Sequence, residues 1–220
     1  MLRLGGRVLD VGYGALPVTT LELAAAVRAV APGLEVVGVE RDAARVTAVE
    51  GVRLVRGDFG ALAALGPACL VRAMNVLRGY REDEVPAIHA ALGAAAGEGG
   101  LVLEGSTDTE GCVTAAWVLR RRGGRLEREA LLFHTDFSRG FSPWLFRDWL
   151  PRDVRRRVKP GEPVHALLTA WADAVEALGP HQAPRVRFEQ SLEAMQTHAL
   201  EASEWERANG YARWRVGGAS

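Results

Sequence analysis

The chain has 220 residues, 48% of them hydrophobic and 25% charged, with 27 basic and 27 acidic side chains and a formal net charge of +0. That length supports one α/β domain with a substantial core and room for a small appendage. No run reaches the roughly 18 apolar residues of a membrane span, and no signal region follows Met1, so no membrane anchor and a cytoplasmic location are expected.

The first half alternates strand and helix signals. Arg7–Val11 reads as a strand and Pro17–Val30 as a helix, with Pro17 at its first position and Leu21, Ala24, Ala25 and Arg28 at helical spacing. Glu35–Glu40 is a second, valine-rich strand, Asp42–Glu50 a short helix, and Val52–Arg56 a third strand stopped by Gly57. Phe59–Leu65 reads as a helical turn and Ala68–Met74 as a fourth strand. Glu82–Ala96 is a helix whose acidic first turn suits its dipole. Leu101–Glu104 is a fifth strand, entered through the glycine-rich stretch 97–100. Near-continuous apolar strands between helices imply a parallel sheet covered on both faces.

The pattern then changes. Val113–Arg120 and Glu127–Thr135 read as an antiparallel hairpin around Arg121-Arg122-Gly123-Gly124. Pro143–Leu150, Val164–Leu178 and Leu192–Glu206 read as helices, and Gly217–Ser220 as a short tail. Aromatic residues divide sharply: Tyr13, Phe59 and Tyr80 are alone before residue 113, and twelve follow, including all six tryptophans. Trp144, Trp149 and Trp171 fall on apolar helical faces and read as core. Two cysteines, Cys69 and Cys112, sit in apolar strand-like contexts and read as lone buried thiols, with no metal site expected.

Four short motifs stand at the carboxyl ends of the predicted strands, where an open parallel sheet binds ligands. They are Asp10-Val-Gly12-Tyr13-Gly14, Val-Glu40-Arg41-Asp42, Gly57-Asp58-Phe59 and Met74-Asn75-Val-Leu-Arg78. Gly12 and Gly14 let a ligand lie against bare backbone. A carboxylate at Glu40 suits two ribose hydroxyls, one at Asp58 suits an exocyclic amine, and Phe59 offers a ring to a base. A dinucleotide fingerprint requires a glycine where this chain has Pro17, and no glycine-lysine-serine or -threonine triple marks an ATPase phosphate loop.

Together these motifs resemble the class I S-adenosylmethionine-dependent methyltransferases over residues 7–135. The resemblance implies an α/β fold: a doubly wound, mostly parallel seven-stranded sheet with an antiparallel hairpin at its end, plus C-terminal helices. It implies S-adenosylmethionine as cofactor, contacted by Asp10, Gly12, Tyr13, Gly14, Glu40, Arg41, Asp58, Phe59 and Asn75. Where that family's first motif commonly has a third glycine, this chain has Leu16. The expected organisation is a methyl-donor-binding Rossmann-like domain over 1–136 and a helical extension over 137–220 packed on it. All but one of the basic residues are arginine, which with the abundant alanine fits a GC-rich bacterial genome.

The acceptor is less legible. Residues 118–160 carry a net charge of +7 between flanks of −4 and −3, with arginine runs at 120–122 and 155–157. These runs suggest phosphate contact, as in an RNA methyltransferase, but aromatics are not interleaved with them. A small-molecule acceptor is the favoured reading. The alternatives are RNA and a non-catalytic scaffold whose aromatic half binds a partner or forms a homodimer. His134 and Asp136 share one strand face and form a candidate base pair, with a structural histidine the simpler reading. Asn75 and Arg78 stand nearer the expected methyl group. His165 reads as structural, and His89, His181 and His198 receive no role.

Overall fold

The computed structural model describes residues 6–215, so the Gly217–Ser220 tail lies outside the described residues. The strands are β1 (Arg7–Val11), β2 (Glu35–Glu40), β3 (Arg53–Arg56), β4 (Ala68–Met74), β5 (Ala96–Thr107), β6 (Val113–Arg122), β7 (Arg125–Thr135), β8 (Leu200–Glu201) and β9 (Tyr211–Trp214). They form one sheet in the order β3-β2-β1-β4-β5-β6-β7-β9-β8. The helices are α1 (Val18–Val30), α2 (Leu62–Leu65), α3 (Val85–Ala95), α4 (Arg152–Arg155), α5 (Pro163–Ala177), α6 (Pro184–Ala194) and α7 (Glu204–Ala208). Among the described residues, no helix is long and apolar enough to cross a membrane.

The described residues divide into two compact units. One takes those up to Glu104 together with Leu119–Glu127; the other takes Gly105–Val118 and those from Arg128 onward.

In the first unit β1 pairs in parallel with β2 and with β4, and β2 with β3. Val8, Leu9, Val36, Val37, Val71 and Ala73 are buried on both faces of these strands, which is why they read as continuous apolar runs. The register aligns the strand ends: Val11 opposite Val39, Glu40 opposite Arg56, Asp10 opposite Arg72. The tip of the β6–β7 hairpin turns at Gly123 and Gly124, both at positive φ, as a two-residue turn that follows strand twist requires. Leu126 of this tip packs where Gly93 of α3 has no side chain; a Cβ there would stand 2.8 Å from Leu126 Cγ.

The second unit is built on aromatic packing. Helix α5 begins with Pro163 and buries Val164, Leu167, Leu168, Trp171, Ala172 and Val175, a stripe of helical period. Trp171 is fully buried among Phe133, Phe141, Phe146 and Phe188, with ring centroids 5.6–6.1 Å away. The Trp171 indole N–H donates to Ser191 Oγ at 2.9 Å, so its one polar group is satisfied.

Several expectations are corrected. The sheet has nine strands, not seven, because the expected helix over Leu192–Glu206 does not form. Helix α6 ends at Ala194, Ala199 takes a left-handed conformation (φ 57°), β8 follows, and Ser203 with Glu206 makes a capping box that starts α7. Beyond α7, β9 pairs antiparallel with both β7 and β8. The expected helix over Asp42–Glu50 reduces to one 3-10 turn, Ala43–Arg45, capped by the Asp42 side chain. Most of that segment is exposed, so no apolar face supports a longer helix. Pro143–Trp149 is a 3-10 helix. Strand β5 starts at Ala96, five residues before its expected start, because bare glycine lets backbones approach; a Cβ on Gly100 would lie 2.8 Å from the Ala68 carbonyl oxygen. Trp144 is 38% exposed rather than core, its ring edge-on to His165. Cys112 is buried and Cys69 only half-buried; both are free thiols.

Candidate functional site

The strand ends of the first unit enclose a cleft of about 380 Å³. It is lined by Val11, Gly12, Gly14, Val39, Glu40, Arg41, Arg45, Gly57, Asp58, Phe59, Asn75, Val76, Gly79 and Tyr80. Its volume falls in the range of small-molecule sites.

Glu40 ends β2 and is 5% exposed. Its Oε2 accepts the Gly14 N–H at 3.0 Å and its Oε1 accepts the Asp42 N–H at 3.1 Å. Two backbone donors hold the carboxylate in one orientation, and each oxygen retains a lone pair. The loop before it is equally constrained. Gly12 has φ 72° and donates to the Val39 carbonyl at 2.7 Å, and a Cβ on it would lie 2.8 Å from Val76 Cγ2. Gly14 has φ 82°.

On the wall after β3, Asp58 caps a 3-10 turn, its Oδ1 accepting the Ala61 N–H at 3.2 Å. Phe59 stands beside it, edge-to-face with Tyr80 at 5.7 Å between centroids. Asn75 follows β4 at φ 63°, a left-handed conformation that asparagine tolerates better than most residues and that clusters at functional sites. Arg45 bridges to Asp42 at 3.3 Å, so the cleft carries two acids, Glu40 and Asp58, and two arginines, Arg41 and Arg45.

Two residues of the sequence set stand elsewhere. Asp10 is buried below the loop, where its Oδ2 accepts the Thr20 hydroxyl at 2.6 Å and its Oδ1 pairs with Arg72 at 3.0 Å. Tyr13 is also buried, its hydroxyl donating to the Arg45 carbonyl at 3.1 Å. Burial, and then the Glu40 charge, raise its pKa. Gly38 makes room for it, since a Cβ there would come within 3.0 Å of the Tyr13 ring. Gly12, Gly14, Glu40, Arg41, Asp58, Phe59 and Asn75 meet in the cleft.

The sequence reading missed Tyr80 and Arg45. Tyr80 had a signal: it is the third of only three aromatics in the first half, and the other two had been placed in the motif set. The turn at Leu77–Gly79, closed by the Tyr80 N–H to the Leu77 carbonyl at 3.1 Å, carries it back to the cleft.

In the second unit His134 stacks on Tyr211 at 4.3 Å, and Asp136 Oδ1 accepts both the Ser138 N–H and hydroxyl. Burial lowers the pKa of His134 against the opposing charge of Asp136. The Ser138 hydroxyl, followed by its N–H, lowers that of Asp136. The Asp136 carboxylate is therefore occupied within its own turn.

The arginine runs are largely consumed internally. Arg121 donates to the carbonyls of Gly93, Ala94 and Ala96, and Arg120 to that of Gly99. Arg122 pairs with Glu127, Arg155 with Asp148 and Arg157 with Glu162. Among the described residues, no group of three His, Cys, Asp or Glu side chains is placed to hold a metal ion.

No family model and no curated protein matches the chain. Solved structures that resemble it are S-adenosylmethionine-dependent methyltransferases. One is CalO1, a methyltransferase of calicheamicin biosynthesis with bound S-adenosylhomocysteine: 25% identity over 48% of this chain and 32% of that one, TM-score 0.36. Another is an O-methyltransferase family 2 protein from Planctomyces limnophilus in complex with apigenin: 20% identity, 49% and 33% coverage, TM-score 0.36. A third is magnesium protoporphyrin IX methyltransferase from Synechocystis with bound S-adenosylhomocysteine: 22% identity, 48% of each chain, TM-score 0.35. The matched region spans about a third of the first two chains.

Proposed function

We propose that the cleft binds S-adenosylmethionine and that the chain transfers its methyl group to a small-molecule acceptor. The observation that carries this reading is Glu40. It is a buried carboxylate, fixed by two backbone N–H groups, in the same cleft as Asp58, Phe59 and Tyr80. Two lone pairs directed by such a clamp suit the adjacent hydroxyls of a ribose. Asp58 supplies an acceptor for an exocyclic amine, and Phe59 and Tyr80 supply an aromatic wall for a base. Gly12 and Gly14 leave the backbone bare for the rest of the ligand. The cofactor brings a methyl group already activated on a sulfonium, so the protein's work is positioning and exclusion of water. The arginine runs give RNA no support, because most of their guanidinium groups are committed to carbonyls and carboxylates.

Titration calorimetry with S-adenosylhomocysteine tests the reading. Wild-type protein is expected to bind, and Glu40→Ala to lose about a hundredfold, the worth of two hydrogen bonds to a charged group. Absence of both heat and thermal shift at millimolar ligand in the wild type would falsify it.

A further inference from the structure

We propose that buried Asp10 is the counter-ion of the partly exposed Arg72, and that this pair keeps the cleft permissive for a cationic ligand. The proposal rests on the donor reading above and adds how that site treats charge. Asp10 is 2% exposed and does not line the cleft, although Val11 and Gly12, the next residues, do. Its two oxygens are both engaged, one by the Arg72 guanidinium at 3.0 Å and one by the fully buried Thr20 hydroxyl at 2.6 Å. Arg72 lies opposite Asp10 in the β1–β4 register and three residues before Asn75, a cleft residue. At a strand rise of about 3.3 Å per residue, that places the backbone of Arg72 on the order of 10 Å from that of Asn75 on the cleft wall.

S-adenosylmethionine carries a sulfonium where S-adenosylhomocysteine carries a neutral thioether; the two otherwise share their charged groups. A lone guanidinium at that range disfavours the first and leaves the second nearly untouched. At an effective dielectric of about 20–40, the discrimination is roughly four- to fifteen-fold. Paired with Asp10 at 3.0 Å, Arg72 presents only the weak field of an ion pair. Glu40, Asp58, Arg41 and Arg45 also act on the sulfonium, but equally in wild type and in variants of the pair, so a change in the ratio of the two affinities isolates Asp10 and Arg72.

The test is calorimetric affinity for both ligands in wild type, Asp10→Asn, Arg72→Gln and the double variant. Asparagine can still accept the Thr20 hydroxyl, and glutamine can still donate toward Asp10. Asp10→Asn is expected to weaken S-adenosylmethionine relative to S-adenosylhomocysteine by roughly four- to fifteen-fold. Arg72→Gln is expected to shift the ratio the other way, and the double variant to return it to the wild-type value. A merely structural brace would weaken both ligands by one common factor, and that result, or a ratio moving in the same direction in both single variants, overturns the proposal. Should Asp10→Asn fail to fold, Arg72→Gln decides alone, since an unchanged ratio is then sufficient to reject it. Wild-type protein that binds neither ligand removes the donor reading as well.

Discussion

Gly12 has its N–H on Val39 and no space for a side chain against Val76. Gly12→Ala is expected to destabilise the fold by about 1–3 kcal/mol, seen as a lower urea midpoint, because it adds a left-handed penalty to a 2.8 Å clash. At Tyr80 the expected loss falls on binding: Tyr80→Ala should weaken S-adenosylhomocysteine about tenfold while Tyr80→Phe retains it, since the ring and not the hydroxyl forms the wall. The acids at the strand ends were legible because strand period and turn glycines fix where a chain leaves a sheet. The partners of Asp10 were not, since Arg72 lies 62 residues away and reaches it only through the β1–β4 register. Local pattern locates a carboxylate without telling which neighbour consumes it.

In the first unit β1, β2 and β4 have the bounds their apolar runs imply, whereas the helix expected over Asp42–Glu50 shrinks to one turn and β5 starts early. Failures concentrate where short elements depend on tertiary partners. Strands β8 and β9 span two and four residues and exist through pairing with each other and with β7, which no local signal encodes. The arginine run at the hairpin tip is another case. It reads as a charged surface, yet Arg121 donates to the Ala96 carbonyl at the start of β5 and closes the last turn of α3 through the carbonyls of Gly93 and Ala94. Those groups have no intrahelical partner, and a cation beside them also complements the helix dipole. Arg121→Met should therefore cost about 1–2 kcal/mol in chemical denaturation, whereas a residue spent on nucleic acid would leave stability unchanged.

For the molecule as a whole, pH is an informative variable. His134 has its pKa pushed below the usual 6.5 by burial, so the unfolded chain takes up its proton first as pH falls. Stability is then expected to decrease from about pH 6.5 downward, through the folded-state value of that histidine. Asp136, held low by Ser138, has the opposite charge type and loses its contribution only below its usual 3.8, in a separate window. His134→Phe, which keeps a ring against Tyr211, should flatten the slope of urea midpoints below about pH 6.5. A slope unchanged in that variant would assign the effect to another group.

The uneven placement of aromatic residues has a spectroscopic consequence. All six tryptophans, at 117, 144, 149, 171, 205 and 214, belong to the second unit, and the cleft belongs to the first. Intrinsic tryptophan emission of the native chain is thus a signal from the second unit, where Trp171 is buried and Trp144 and Trp205 are exposed, with no fluorophore of that kind on the cleft walls. Phe59→Trp would place a single new emitter where an adenine ring is expected to stack, and its quenching on ligand addition would read occupancy directly against a constant background.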